Sequence, residues 1–232
     1  MDHPPLLDIF IGFDPREVVA YHVLCQSILE RSSRPVRFTP INLANLRPIF
    51  DRPTSPLQST EFSFSRFLTP YLSDYAGWSL FLDCDMVARA DIADLFALAD
   101  DRYAVMVCKH DYTPKGEAKF LDQTQTRYAK KNWSSVMLLN NARCRALTPQ
   151  YAESATGLEL HQFRWLAGDH EIGDLPLEWN WLVGEYDFNP SARLAHFTLG
   201  GPWFRDHAAC DYADEWRAVE GRAMRAKGKS AD

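Results

Sequence analysis

The first forty-odd residues constrain the fold more than any other stretch. Leu7 to Phe13 (LDIFIGF) is a short apolar run broken by one acid, the size of a buried strand. Asp14-Pro15 follows, an N-cap candidate with proline at the first helical position. Val18, Val19, His22, Val23, Gln26, Ile28 and Leu29 then give an apolar side to a helix expected to reach about Arg31. Val36 to Leu43 reads as a second strand. Two strands joined through a helix are the unit of a parallel sheet. Ligands of such sheets bind beyond the carboxyl ends of the strands.

Further along, three prolines and few periodic apolar residues make Arg47 to Thr60 a loop. Ser63 to Leu72 reads as helical despite Pro70. Trp78 to Leu82, Tyr103 to Cys108, Trp133 to Leu139 and Leu194 to Thr198 read as strands. Short helices are expected at Asp91 to Phe96 and Leu158 to Leu166, and a last one at Asp211 to Ala226. There is no internal repeat and no low-complexity segment. The expected fold is α/β, a mainly parallel sheet flanked by helices. Residues 1–205 are expected to form one catalytic domain, and residues 206–232 a C-terminal helix and polar tail.

A formal charge of −6 over 232 residues argues against a general nucleic-acid binder. The five cysteines are odd in number and dispersed, with no CxxC. They read as reduced thiols of a cytoplasmic protein. MDHPP lacks the basic start of a secretion signal, and no apolar run is long enough to span a membrane. Arg222, Arg225, Lys227 and Lys229 in the tail could touch acidic lipid, but a frayed, solvated tail is the preferred reading.

The chemistry-bearing feature is LFLDCDMV, Leu80 to Val87, where Asp83 and Asp85 leave an apolar strand one residue apart. Side chains two apart on an extended chain point the same way. Two carboxylates so placed repel unless a positive group shares the site. A divalent cation, Mn²⁺ or Mg²⁺, takes such oxygen ligands and can grip a diphosphate as well. The plainer alternative makes both aspartates turn residues at a strand end. The DxDxV form of the same stretch also resembles the first motif of haloacid-dehalogenase-type phosphatases. There Asp83 would be the nucleophile and Asp85 a general acid–base.

Six segments taken in order resemble the family 8 glycosyltransferases, retaining enzymes of the GT-A fold. They are IFIGFDPREVVAYHVLCQSI with Ser27, FSFSRFLTPYL with Arg66, WSLFLDCDMV, NWSSVMLLNN, GDHEIGDLPLEWNWL and HFTLGGPWF. Together they run from about residue 7 to residue 204. The resemblance implies a metal held by Asp83, Asp85 and His196. It implies donor contacts at Ile11, Phe13, Asp14, Arg66, Asp83, Cys84, Gly200 and Gly201, and acceptor contacts at Asn132, Trp133 and Ser134. Asp169 would bind donor-sugar hydroxyls, with His170 near the anomeric carbon. The chain departs from the pattern in several places. The family's lysine before Pro-Trp is Gly201, with Arg205 as a nearby substitute, and the spacing from His196 to Gly200 is one residue long. The Asp-Gln-Asp turn reads Asp169-His170-Glu171.

Each of these residues has a structural alternative. Asp14 could simply cap a helix, and Arg66 could pair with Glu61 or Asp74 at the surface. His196 could be structural, residues 169–171 a solvated turn, and the tryptophans core. The function this implies is metal-dependent transfer of a hexose from a nucleotide-sugar, first of all a UDP-sugar, to a hydroxyl of a saccharide or lipid-linked acceptor, with retention. A non-catalytic nucleotide-sugar binder is the other alternative beside the phosphatase.

Overall fold

The computed structural model describes residues 6–53, 58–111, 118–119, 123–124 and 129–225. The strands are β1 (Leu7–Phe13), β2 (Val36–Asn42), β3 (Trp78–Leu82), β4 (Met86–Ala88), β5 (Val105–Val107), β6 (Ala118–Lys119), β7 (Gln123–Thr124), β8 (Val136–Asn140), β9 (Ile172–Asp174), β10 (Trp181–Leu182) and β11 (Leu194–His196). The α-helices are α1 (Val18–Leu29), α2 (Leu43–Leu46), α3 (Thr69–Leu72), α4 (Ile92–Phe96), α5 (Pro149–Ser154), α6 (Gly157–His161) and α7 (Ala213–Ala223).

Six strands form the main sheet in the order β2-β1-β3-β8-β5-β9. It is mostly parallel. β1 runs parallel to β2 and β3, and β5 parallel to β9, while β8 is antiparallel to both of its neighbours. Its inner strands β1, β3, β8 and β5 are largely apolar on both faces, as a sheet covered on both sides requires, while the edge strand β2 is mostly half-buried or exposed. Ile9, Ile11, Leu80, Leu82, Val105 and Leu138 have no exposed surface. Gly12 sits where a Cβ would lie 2.4 Å from the Phe62 ring, so only glycine lets that ring close over β1.

A second sheet, β10-β11-β4, has only two- and three-residue strands. It carries its own apolar cluster, in which Val87, Ala195 and Phe197 pack with Trp216 and Val219 of α7 and with Val23 of α1. Helix α1 therefore serves both cores, since its Leu24 and Ile28 belong to the main cluster. Ser27 ties α1 to the second sheet, accepting from the Ala88 amide at 2.9 Å.

The expected α/β architecture is present, and several local boundaries differ. Asp14-Pro15 does not open α1: the boundary is Glu17, and the Asp14 carboxylate closes a turn on the Arg16 amide instead. Ser63 to Leu72 is split into a 3₁₀ turn at Ser65–Leu68 and α3, because Pro70 can stand only in a helix's first turn. Trp133–Ser135 is a 3₁₀ turn, and the strand begins at Val136. The expected helix at Leu158 to Leu166 stops at His161, and Phe163 beyond it has a positive φ of 58°. β4 and β10 were not anticipated. Of the basic tail, Lys227 and Lys229 lie outside the described residues.

Candidate functional site

Asp83-Cys84-Asp85 is the connection between the two sheets: β3 ends at Leu82 and β4 begins at Met86. The Asp83 amide donates to the Ser135 carbonyl at 3.0 Å, fixing that end to the main sheet beside β8. The Asp85 carbonyl accepts from the Phe197 amide at 2.8 Å, fixing the other end to the second sheet. β11 pairs antiparallel with β4, His196 opposite Met86. A histidine 111 positions away in sequence is thereby set beside the aspartate pair. One donor atom each from Asp83, Asp85 and His196 falls within a span of 4.8 Å.

Hydrogen bonding fixes which His196 nitrogen faces this cluster. Nδ1 lies 2.8 Å from Asn180 Oδ1. The Asn180 amide nitrogen is committed to two acceptors, the Asn132 carbonyl at 3.2 Å and Ser135 Oγ at 3.0 Å. Ser135 Oγ is free to accept because its own hydrogen goes to the Asn132 carbonyl, 2.6 Å away. The Asn180 oxygen must then face the ring, and Nδ1 must carry the hydrogen. In neutral imidazole the other nitrogen, Nε2, is a lone pair, and it faces Asp85 Oδ1 at 3.3 Å. Two acceptors at that distance call for a cation or a proton between them. Carboxylate oxygens with one imidazole nitrogen suit a divalent cation of the manganese or magnesium class.

Arg66 is not at the surface with Glu61 or Asp74. It is 5% exposed, its Nη1 lies 2.7 Å from Asp83 Oδ1 and donates to the Ser134 carbonyl at 2.9 Å. Its guanidinium stands over the rings of Phe62 and Phe81. Arg66 therefore orients Asp83. Asp14 is likewise spent inside the protein. It is fully buried, and its oxygens accept from the Arg16 amide, Nε and Nη2 and from the Glu61 amide. Burial pushes the Asp14 pKa up, but those hydrogen bonds outweigh it and hold the carboxyl below its ordinary value.

The cavity between the aspartates and His196 has a volume of about 40 Å³, room for a cation and a little water. It is lined by Glu17, Asp83, Asp85, Asn132, His196 and Gly200, with Ser59, Thr60, Phe197 and Thr198 completing it. Of the expected donor contacts, Ile11 is buried in the main sheet, and Phe13 rests edge-on against Tyr21; neither lines the cavity. The Cys84 side chain is buried in the main core, and burial with the neighbouring Glu17 and Asp85 charges holds its thiol well above the ordinary range. Gly200 has a φ of 116°, open to glycine and strained for any other residue. A Cβ on Gly201 would lie 2.1 Å from the Trp203 ring. The absent lysine thus goes with how Trp203 packs on Phe197 and Trp216. Arg205 is exposed on a short turn and does not line the cavity.

The expected acceptor residues are divided. Asn132 lines the cavity with a left-handed backbone, φ 63°. Ser134 is buried, its hydroxyl 2.7 Å from His161 Nδ1. Trp133 is half-buried between Lys109 and Lys130. Asp169 and His170 are exposed and outside the cavity lining, and Asp169 pairs with Lys130 at 2.5 Å.

Two residues escaped the sequence reading. Asn180 lies within the quoted LEWNWL stretch, but nothing local shows that it faces a histidine. Glu17 looked like an ordinary acid at a helix start. Burial pushes its carboxyl up to about 9, with repulsion from Asp85 and Asp14 adding to it. A larger groove of about 580 Å³ runs between α1 and α7, along Gln26, Glu30, Arg217 and Arg222. Arg222 and Arg217 there are engaged with Glu30, Asp214 and the Ala208 carbonyl, and among the described residues the groove holds no comparable donor set.

No protein-family model matches the chain. Among solved structures, the bifunctional glycosyltransferase WbbM superposes with a TM-score of 0.63 at 14% identity, covering 93% of this chain and 49% of that one. The chain therefore spans about half the length of WbbM. The glycosyltransferase GlyE of Streptococcus pneumoniae TIGR4 gives 0.59 at 13% identity over 97% of this chain and 66% of that one. The galactosyltransferase LgtC, solved with donor and acceptor sugar analogues, gives 0.59 at 13% over 95% and 98%. At such identities the likeness establishes the fold, which is GT-A-like. By sequence the chain is 48% identical over 217 residues to Protein CDI of Arabidopsis thaliana, 90% of this chain and 83% of that protein. The chain belongs to the family of Protein CDI.

Proposed function

We propose that this protein is a metal-dependent glycosyltransferase of the family 8 kind. It would move a hexose from a nucleotide-sugar, in the first instance a UDP-sugar, to the hydroxyl of a saccharide or lipid-linked acceptor, with retention. One observation carries the reading: the His196 lone pair and the two aspartates converge on a single cavity at the carboxyl end of β3.

Asp83, Asp85 and His196 would hold the cation. Once bound, it would supply positive charge to a departing diphosphate. Arg66 keeps Asp83 aimed inward, and Asn180 keeps the His196 lone pair aimed inward. A nucleoside diphosphate is larger than the cavity, so only phosphate oxygens would reach in. Asn132 and Gly200 line the same space and would border the transferred sugar. Asp169 and His170 would join the reaction only from the surface on which they stand.

The test is a thermal-shift panel of nucleotides and nucleotide-sugars with and without Mn²⁺, followed by donor hydrolysis. A Mn²⁺-dependent shift with UDP and slow sugar release supports the reading. A shift without sugar release or transfer would make the protein a binder. No shift with any nucleotide would overturn both.

A further inference from the structure

Glu17 is unexplained by the three-residue site. It stands at the N-terminal boundary of α1, where acidic side chains commonly cap the helix, yet its carboxyl caps nothing. The residue is 4% exposed; its carbonyl accepts from the Ala20 and Tyr21 amides, but its carboxyl accepts no hydrogen bond among the described residues. Asp14, in the same turn, is the contrast: equally buried, with four hydrogen bonds to its two oxygens. Arg16 offers Glu17 some charge compensation, but desolvating a carboxyl that has no hydrogen-bond donor opposes folding. An apolar residue of similar size would suit stability alone better, so what Glu17 gains must come from the space it faces. That space is the cavity lined by Asp83, Asp85 and His196.

The geometry also says how Glu17 takes part. The donor atoms that fall within 4.8 Å of one another come from Asp83, Asp85 and His196, and Glu17 is outside that set. Its oxygens stand too far back to share the first coordination shell as the side chains lie. The cavity has room for water beside a cation. We infer that Glu17 is an outer-shell carboxylate of the cation site, accepting a hydrogen bond from a cation-bound water. This rests on the reading of Asp83, Asp85 and His196 as cation ligands.

The experiment is Mn²⁺ titration of the purified full chain, with free Mn²⁺ read by electron paramagnetic resonance, for wild type, E17Q and D85N. Melting curves without metal accompany it. The expected result is that D85N loses binding, while E17Q folds, melts no lower than wild type and binds about 10- to 100-fold more weakly. If E17Q binds as wild type does while D85N does not, the role of Glu17 is overturned and the three-ligand site stands. If wild type binds no Mn²⁺, both fall. Where E17Q fails to fold, E17L carries the same comparison; failure of both to fold would make Glu17 structural and overturn the inference.

Discussion

The two sheets make contrasting contributions to one site. The main sheet has six strands, is mostly parallel and is buried on both faces at its centre, and it delivers Asp83 locked to Arg66. The second sheet has strands of two or three residues and delivers Asp85 and His196, with Asn180 behind the imidazole. The first resembles a platform and the second a clasp, and DCD is the hinge point between them. The difference teaches that a site can be half built from strong local signals and half from pairings that no short window contains. On this view a bound cation fastens the two sheets, and its loss should be felt equally from either side.

The largest expected effect on cation binding, its complete loss, follows from that symmetry. Mn²⁺ at about 100 times its Kd should stabilise the wild type by about 2.7 kcal/mol through linkage. D83N, on the platform, and H196Q, on the clasp, should each abolish the shift in melting temperature. Should H196Q retain the full shift, the cation belongs to the main sheet alone and the contrast drawn here fails.

The largest expected effect on the fold itself concerns the buried ion pair that anchors the platform side. Replacing Arg66, only 5% exposed, with methionine removes the cation paired with Asp83 and the donor to the Ser134 carbonyl. Removing one partner of a buried pair costs about 3–5 kcal/mol. Urea unfolding of R66M should show a loss of that order without metal, because the effect lies in the fold. A loss below about 1 kcal/mol would mark Arg66 as a surface-type pair.

How far the sequence foretold these halves follows the same division. Leu7 to Phe13 and Trp78 to Leu82 were readable to the residue, because each is an apolar run ended by aspartate. Asp83, Asp85 and His196 were legible as a set only through six ordered segments resembling one family. β4 and β10 were not, since two or three residues carry no periodicity and are strands only by pairing with β11. Arg66 was found as a residue, but its partner was not, because Glu61 and Asp74 are nearer in sequence than Asp83. Asp14 was mistaken for a cap because Asp-Pro has the same form whether it opens a helix or closes a turn before one. Glu17 had no signal, since a buried acid and a solvated one read alike at a helix start.

A smaller effect should sharpen the clasp side. Asn180 does not line the cavity; its oxygen sets the His196 tautomer from behind. N180A should weaken Mn²⁺ binding about 10- to 100-fold, as loss of an outer-shell partner does. N180D keeps an oxygen for the Nδ1 hydrogen and should retain more affinity than N180A. Nitrogen-15 NMR of the imidazole distinguishes this from simple misfolding, since the tautomer balance of a folded N180A should move toward hydrogen on Nε2. An unchanged tautomer would place its control elsewhere.

The smallest effect concerns the seam where α7 closes over α1. Arg222 donates two hydrogen bonds of 2.7 Å to Glu30, and that contact, helped by a hydrogen bond from Gln26 and the charge of Arg31, holds the Glu30 carboxyl down at about 2 against an ordinary 4.5. A carboxyl depressed in the folded state adds stability that is complete above the unfolded value and is lost as pH falls toward the folded one. E30Q should therefore be less stable than wild type above about pH 4.5, and the gap should close between there and about pH 2. Arg222 is half exposed, so solvent screening limits the gap to about 0.2–1 kcal/mol, shrinking with salt. The comparison is made by denaturant midpoints of the two proteins across that range. A gap that persists undiminished at the acid end would mean that the seam is held by packing around Gln26 and Ala218 instead of by charge, and that α7 is fastened to the clasp through its apolar face alone.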